Sequence, residues 1–132
     1  MTESESAKLA QLRLFIPDAP NIYEIPGFKP NGISFVPDSI LMFPSFRWLN
    51  LTWIGDWHDF LYWLGGSERD RYRADLAFLD LFLRVSECYR WINRDRIANR
   101  GRLYFKSLRL IGQTHFNCGV RPNPSLYYKG NN

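Results

Sequence analysis

The stretch TWIGDWHDFLYWLGGSERDRYRADLAFLDLFL, at residues 52–83, decides how this chain folds. Its first part, 53–64, is apolar on most sides, which is typical of a buried helix. Thr52 directly precedes this segment and is a candidate N-cap. Gly65 and Gly66 follow the segment and end the helix, because glycine favours helix termini and tight turns.

Two further helices are predicted after the glycines. Ser67, with Asp70 three residues later, has the pattern of a capping box, which predicts that a second helix begins at once. A wide apolar stripe continues this helix to about residue 91. Asn93 or Asp95 is a candidate cap for a third helix that runs to about Gly112. Because short connections favour antiparallel neighbours, we expect the first two helices to form an antiparallel hairpin.

The two ends of the chain carry a different pattern. The first 47 residues are rich in proline, and short runs at 12–16, 22–25 and 33–36 predict small strands separated by turns. Residues 113–132 contain prolines, glycines and asparagines and predict an irregular tail. The expected fold is mainly α in one domain over 1–132, with strands and loops at 1–47 and a helical core at 52–112.

Composition narrows the class of protein. The chain has 132 residues, 45% of them apolar and 23% charged, which is ordinary for a globular domain. It has no run of about 18 uncharged apolar residues and begins with a polar, acidic segment, so neither a membrane span nor a secretory signal peptide is predicted. Only Cys88 and Cys118 are present, which argues against a disulfide framework and favours a reducing, cytoplasmic compartment. With only two histidines besides, a four-ligand zinc site is also disfavoured.

Aromatic residues make up 17% of the chain, and four of its five tryptophans lie close together. Two interpretations stay open for this cluster. The tryptophans can pack into a compact core, or they can form an interfacial surface that contacts substrate or lipid, since indole suits a boundary between apolar and wet surroundings. The candidate interface residues within the first predicted helix are Trp53, Trp57 and Trp63.

Positive charge is concentrated in the second half of the chain. Eight basic and two acidic side chains lie between positions 84 and 109, a local charge of +6 against +4 for the whole chain. Such a span can meet an anionic membrane, an acidic protein or a nucleic acid, or it can be an ordinary solvated helix face. No known nucleic-acid-binding motif accompanies it, so a nucleic-acid partner is the least favoured of these.

The predicted hairpin brings a histidine and an aspartate together. His58 lies seven residues before Gly65, and Asp75 lies eight residues after Ser67. At about 1.5 Å per residue both lie roughly 11–12 Å from the turn, at the same height on adjacent helices. A histidine held by a carboxylate is a candidate general base, because the carboxylate fixes the imidazole tautomer and favours the imidazolium. A buried core histidine is the structural alternative.

Two more polar residues interrupt the same apolar helix. Tyr62 lies one turn after His58 and can donate a hydrogen bond to the far side of Asp75. Asp59 points about 100° away from His58 and can contribute to a site for a hard cation together with backbone carbonyls. Burial of such groups is costly unless they find partners, which favours a functional cluster.

The strings HDFLY (58–62) and RADLAFL (73–79) resemble the active-site helices of phospholipase A2-like proteins, most closely the small disulfide-poor domains of parvovirus capsid proteins. The resemblance implies that His58 activates water, that Asp75 holds His58, that Tyr62 supports the pair and that Asp59 binds Ca²⁺. This chain departs from the family at 43–57, where FPSFRWLNLTWIGDW replaces the glycine-rich calcium loop and Gly55 is the only glycine.

A second resemblance is to uncharacterised phage and bacterial proteins with a TDxxSxP-like segment followed by HDxLY and ADxxF. VPDSILMFP (36–44) is a loose match to the first segment, and RLYFKSLRLIG (102–112) resembles that family's final helix. Two functions are therefore expected. The first is a phospholipase A2-like hydrolase acting at a phospholipid surface, and the second is a non-catalytic accessory or structural protein, cytoplasmic or virion-associated, that binds another protein.

Overall fold

The computed structural model describes residues 1–30 and 50–116 and is built from helices. Helix α1 spans Glu3–Phe15, α2 spans Thr52–Leu64, α3 spans Glu68–Ser86 and α4 spans Trp91–Ile111, followed by a 3₁₀ turn at Gly112–His115. No strand is present in the described ranges. The mainly α class predicted from the sequence is thus confirmed for this part of the chain.

The strand expected at 12–16 is wrong, because that segment is the last turn of α1 and its C-cap. Thr2 and Glu5 form a capping box at the start of α1: the Glu5 N–H donates to Thr2 Oγ1 at 3.0 Å, and the Thr2 N–H donates to Glu5 Oε1 at 2.9 Å. Leu9 and Leu12, three residues apart, are the buried residues of this helix. The apolar alternation at 12–16 was therefore the end of a helical pattern.

The second expected strand, at 22–25, is also wrong, because these residues form turns. The Asn21 side chain accepts a hydrogen bond from the Tyr23 N–H at 3.1 Å, and the Asn21 carbonyl accepts one from the Glu24 N–H at 3.2 Å. An asparagine that bonds the backbone two residues later favours a turn over a strand. The expected strand at 33–36 lies outside the described residues, as does the tail from 117 onward.

Helices α2 and α3 have the predicted connection. Gly65 and Gly66 adopt φ values of 71° and 118°, which residues with a side chain rarely take. Ser67 and Asp70 form the expected capping box, with the Asp70 N–H donating to Ser67 Oγ at 3.4 Å and the Ser67 N–H donating to Asp70 Oδ2 at 2.9 Å. The chain therefore reverses within three residues, and α2 packs against α3.

The predicted caps of α2 and α4 are wrong in detail. Thr52 is the first residue of α2 and Leu51 is its N-cap; the Thr52 N–H and hydroxyl both donate to Asn50 Oδ1, at 2.9 and 2.7 Å. Helix α4 begins at Trp91, earlier than Asn93 or Asp95, because the Asn93 N–H already donates to the Arg90 carbonyl at 3.1 Å in the first turn.

Aromatic side chains fill the core between the helices. Phe15 stacks on Trp53 at 5.6 Å between ring centroids, which joins α1 to α2. On the other side of the core, Phe82 contacts Tyr104 edge to face at 6.0 Å, which joins α3 to α4. Helix α4 therefore packs against α3. None of the described helices is long and apolar enough to cross a bilayer.

Gly101 allows α4 to approach α3 closely. A Cβ atom at this position would lie 2.4 Å from the Cβ of Phe82, well inside van der Waals contact. Gly101→Ala should therefore destabilise the protein by about 1–3 kcal/mol in denaturant unfolding. In an open helix the same change stabilises by roughly 0.5–1 kcal/mol, so the sign itself is diagnostic.

Asn99→Ala, at an exposed position of α4, is the control and should change the free energy of unfolding by at most about 0.5 kcal/mol. A Gly101→Ala protein at least as stable as wild type would contradict the close packing of α3 and α4.

Candidate functional site

His58 and Asp75 meet in the interior, between α2 and α3. The His58 Nε2 atom lies 2.9 Å from Oδ1 of Asp75, so the hydrogen bond predicted from the sequence is present. The His58 residue is 2% exposed and Asp75 is fully buried. Because the carboxylate is the acceptor, Nε2 carries the proton, and Nδ1 presents a lone pair.

Tyr62 also binds Asp75, as predicted, but on the oxygen that His58 binds and not on the far side of the carboxylate. Its hydroxyl donates to Asp75 Oδ1 at 2.6 Å, and its ring lies 4.1 Å from the imidazole of His58, measured between centroids. Burial raises the pKa of Tyr62, and the neighbouring Asp75 raises it further. Tyr62 therefore stays a neutral phenol that donates a hydrogen bond to the carboxylate.

Two arginines that the sequence reasoning did not identify face the other oxygen of Asp75. Arg109 of α4 donates from Nη1 to Oδ2 at 2.7 Å, and Arg71 of α3 places its Nη1 atom 3.6 Å from the same oxygen. Both arginines also contact Glu68, at 2.7 Å for Arg71 and 3.2 Å for Arg109. One signal pointed to Arg71, since it lies four residues before Asp75 on one helix face. No local pattern pointed to Arg109, which comes from another helix.

The ionisation of Asp75 depends on these partners. Burial would raise its pKa, but hydrogen bonds from His58, Tyr62 and Arg109 outweigh burial and lower the pKa. Asp75 is therefore a carboxylate at neutral pH. Formal charges within the cluster sum to zero, because Asp75 and Glu68 balance Arg71 and Arg109 around a neutral imidazole.

The His58 imidazole is held neutral with one nitrogen available. Burial lowers its pKa and outweighs the contrary effect of Asp75. Nδ1 is buried without a hydrogen-bond partner in the part of the chain that the structure describes. A neutral imidazole with Nε2 fixed on a carboxylate and Nδ1 unbonded has the arrangement that a general base requires.

Two of the three tryptophans predicted to contact substrate are buried in the core. Trp53 and Trp57 are each 2% exposed and pack in the core, against Phe15 and Phe60 respectively, so neither presents its indole to solvent. Trp63 is half-buried against Phe28. Of these three side chains, Trp63 alone retains appreciable exposure, because α2 is covered by α1 and α3 on its other sides.

The structure bears on the predicted calcium site only through the residues that it describes. No group of three or more histidine, cysteine or acidic side chains that could hold a metal ion is found within 1–30 and 50–116. The carbonyls expected to help bind the cation lie at about residues 49–55; of these residues, 52–55 form the first turn of α2, where carbonyls accept intrahelical bonds. Asp59 is half-buried, and residues 43–49 of the stretch that replaces the glycine-rich loop lie outside the described ranges. The Ca²⁺ role of Asp59 stays a prediction.

Acid should destabilise the protein through His58. Its pKa in the folded state lies below the ordinary 6.5, so as pH falls below about 6.5 the unfolded chain binds this proton first. The free energy of unfolding then falls, by at most about 1.4 kcal/mol per pH unit. We expect the stability difference between wild type and His58→Gln, measured by urea unfolding, to be smaller at pH 5.0 than at pH 7.5.

His115 is common to both proteins and cancels in that comparison. Asp75 changes this stability difference little, because its contribution to stability is lost only as pH falls below 3.8, the ordinary pKa of an aspartate. An equal difference between the two proteins at both pH values would contradict a lowered pKa for His58.

Tyr62→Phe should cost about 1.5–3 kcal/mol in the free energy of unfolding, because it removes a short hydrogen bond to a buried carboxylate. Tyr72→Phe is the matched control, since Tyr72 is exposed and its contact with the Arg109 guanidinium is made by the ring, which phenylalanine keeps. Equal stability of the two variants in thermal and denaturant unfolding would show that the Tyr62 hydroxyl contributes nothing to the cluster.

No family model, curated protein or solved structure matches this chain. The resemblance to phospholipase A2-like proteins therefore rests on the residues themselves, HDFLY at 58–62 and Asp75 in α3.

Proposed function

We propose that this protein is a phospholipase A2-like ester hydrolase in which His58 is the general base. The observation that supports the proposal most directly is the neutral, buried imidazole whose Nε2 is held by Asp75 and whose Nδ1 is unbonded within the described residues. The order of contacts agrees with an antiparallel hairpin of this kind. His58 and Tyr62 both contact Asp75, and His58, farther from the turn than Tyr62, also contacts Phe78, which lies farther from the turn than Asp75.

The residues present supply a complete proton path for ester hydrolysis. Nδ1 of His58 takes a proton from water while the water oxygen attacks the ester carbonyl carbon. Asp75 stabilises the imidazolium that forms, and Tyr62 keeps Asp75 in place. The imidazolium then returns its proton to the departing alkoxide, so that one ester and one water give one carboxylic acid and one alcohol.

Access to His58 requires an opening of the structure. The residue is 2% exposed, so an ester must displace the cover over Nδ1 before it reacts. Binding at a lipid surface can displace this cover, just as lid movements open and close the active sites of other enzymes. Ca²⁺, if bound near Asp59, would supply the electrophile that polarises the ester carbonyl.

The outward side of α4 is the surface that best fits an anionic bilayer. The buried residues of α4, such as Ile97, Tyr104 and Leu108, lie on the side that faces α3. The opposite side combines exposed aliphatic and basic residues: Ile92, Arg96, Arg102, Leu103, Lys106 and Leu110. Basic side chains attract acidic headgroups, and aliphatic side chains between them insert at the interface. This surface replaces the α2 tryptophans as the proposed contact with lipid.

A non-catalytic structural or accessory role is the second candidate. The observation that favours it is the burial of His58, since a polar cluster closed to solvent can have the joining of α2, α3 and α4 as its whole role. Under this function the protein would bind another protein and would release no fatty acid.

The assay is fatty-acid release from phosphatidylglycerol vesicles at pH 6 to 9, with Ca²⁺ and with a chelator. Wild type should release fatty acid, and His58→Gln should lower the rate at least about 10²-fold while the protein stays folded. Asp75→Asn should also lose activity, because an amide can hold the wrong imidazole tautomer.

Asp80→Asn is the matched control, since Asp80 is 64% exposed at the side chain on the same helix. Release should be faster from phosphatidylglycerol than from neutral phosphatidylcholine vesicles. Loss of activity in the chelator would support a Ca²⁺ role. No release by wild type under any of these conditions would exclude the hydrolase and leave the structural role.

A further inference from the structure

We propose that Arg109 is the positioning residue of the dyad. Its guanidinium binds Oδ2 of Asp75, and this contact keeps Oδ1 directed at His58. The kinetic part of this proposal rests on the proposed hydrolase function, whereas its spectroscopic part does not.

The two oxygens of Asp75 have separate partners. Oδ1 accepts from His58 Nε2 at 2.9 Å and from the Tyr62 hydroxyl at 2.6 Å. Oδ2 accepts from Arg109 Nη1 at 2.7 Å. Rotation of the carboxylate about its Cβ–Cγ bond moves both oxygens together, so the direction of Oδ1 depends on the bonds to either oxygen. The contact with Arg109 restrains this rotation from a different helix, because it holds Oδ2.

Arg109 is itself held in the orientation that this contact requires. Its Nη2 donates to Glu68 Oε1 at 3.2 Å, and its guanidinium carbon lies 4.9 Å from the centroid of the Tyr72 ring. The Arg109 side chain is 26% exposed. The planar guanidinium thus binds two carboxylates and stacks on an aromatic ring, which a lysine cannot reproduce. It needs little reorganisation to hold Asp75.

Arg71 cannot replace Arg109 in this role. Its Nη1 lies 3.6 Å from Asp75 Oδ2, beyond hydrogen-bond length, and donates instead to the Leu108 carbonyl at 3.1 Å. Its Nε donates to both oxygens of Glu68, at 2.9 and 3.0 Å. Arg71 therefore balances the charge of Asp75 without fixing its rotation. A protein without Arg109 keeps one nearby cation, so we expect it to fold while Asp75 reorients.

The direct readout is the proton on Nε2 of His58, observed by NMR in protein with ¹⁵N-labelled histidine. The residue is 2% exposed and Nε2 donates to a carboxylate, so this proton should exchange slowly and resonate far downfield. His58→Gln assigns the resonance by its loss. Arg109→Gln should shift it upfield or abolish it.

Arg73→Gln is the matched control. It removes the same charge from an exposed side chain of α3, two residues from Asp75, and should leave the resonance in place. A resonance at the wild-type position in Arg109→Gln would overturn the proposal. If Arg109→Gln does not fold, Arg109→Lys decides instead: a shifted resonance supports the proposal and an unshifted one overturns it.

Kinetics give the second readout. In fatty-acid release, Arg109→Gln should lower kcat about tenfold or more with KM nearly unchanged, because Arg109 acts through Asp75 and on the side of the imidazole away from Nδ1. Arg109→Lys should recover part of kcat. A wild-type protein that hydrolyses no ester, while Arg109→Gln still loses the resonance, would reject the hydrolase and retain the positioning role of Arg109.

Discussion

The carboxylate of Asp75 is the group on which the described structure depends. A fully buried anion costs several kcal/mol even after relaxation, unless hydrogen bonds and opposite charge compensate it. Here one helix supplies His58 and Tyr62, the helix of Asp75 itself supplies Arg71, and α4 supplies Arg109. The hydrogen bonds and ion pairs of this one side chain therefore hold α2, α3 and α4 in one relative position.

Two glycines, at the end of α4 and within it, allow this helix to lie close to α2 and α3. A Cβ on Gly112 would lie 2.6 Å from the Tyr62 hydroxyl oxygen, so the end of α4 reaches this hydroxyl only because position 112 has no side chain. Gly101 plays the corresponding part farther up α4, where it meets Phe82. Close approach at both points brings Arg109 within reach of Asp75 across the α3–α4 contact.

The sequence predicted the parts of this arrangement that depend on local signals. The turn at Gly65-Gly66, the capping box at Ser67 and the equal height of His58 and Asp75 all follow from residue type and helical rise. The strand predicted at 12–16 is wrong, because a few alternating apolar residues fit a strand as well as the end of a helix, and the capping box that starts this helix lies ten residues earlier, at Thr2. Arg109 could not be found locally, since its contact with Asp75 spans 34 residues. The catalytic, calcium and lipid roles stay predictions, because they concern molecules other than this chain.

The difference between a catalytic cluster and a structural one lies on the Nδ1 side of His58. Everything bound to Asp75 serves both functions equally, because the same bonds that orient a base also stabilise a buried ion. The bonds to Asp75 occupy Nε2 of His58, and Nδ1 has no hydrogen-bond partner among the described residues. A neutral imidazole accepts a hydrogen bond at this nitrogen, and water is the smallest donor. The same donor, placed at Nδ1 beside an ester, is the nucleophile that a hydrolase needs.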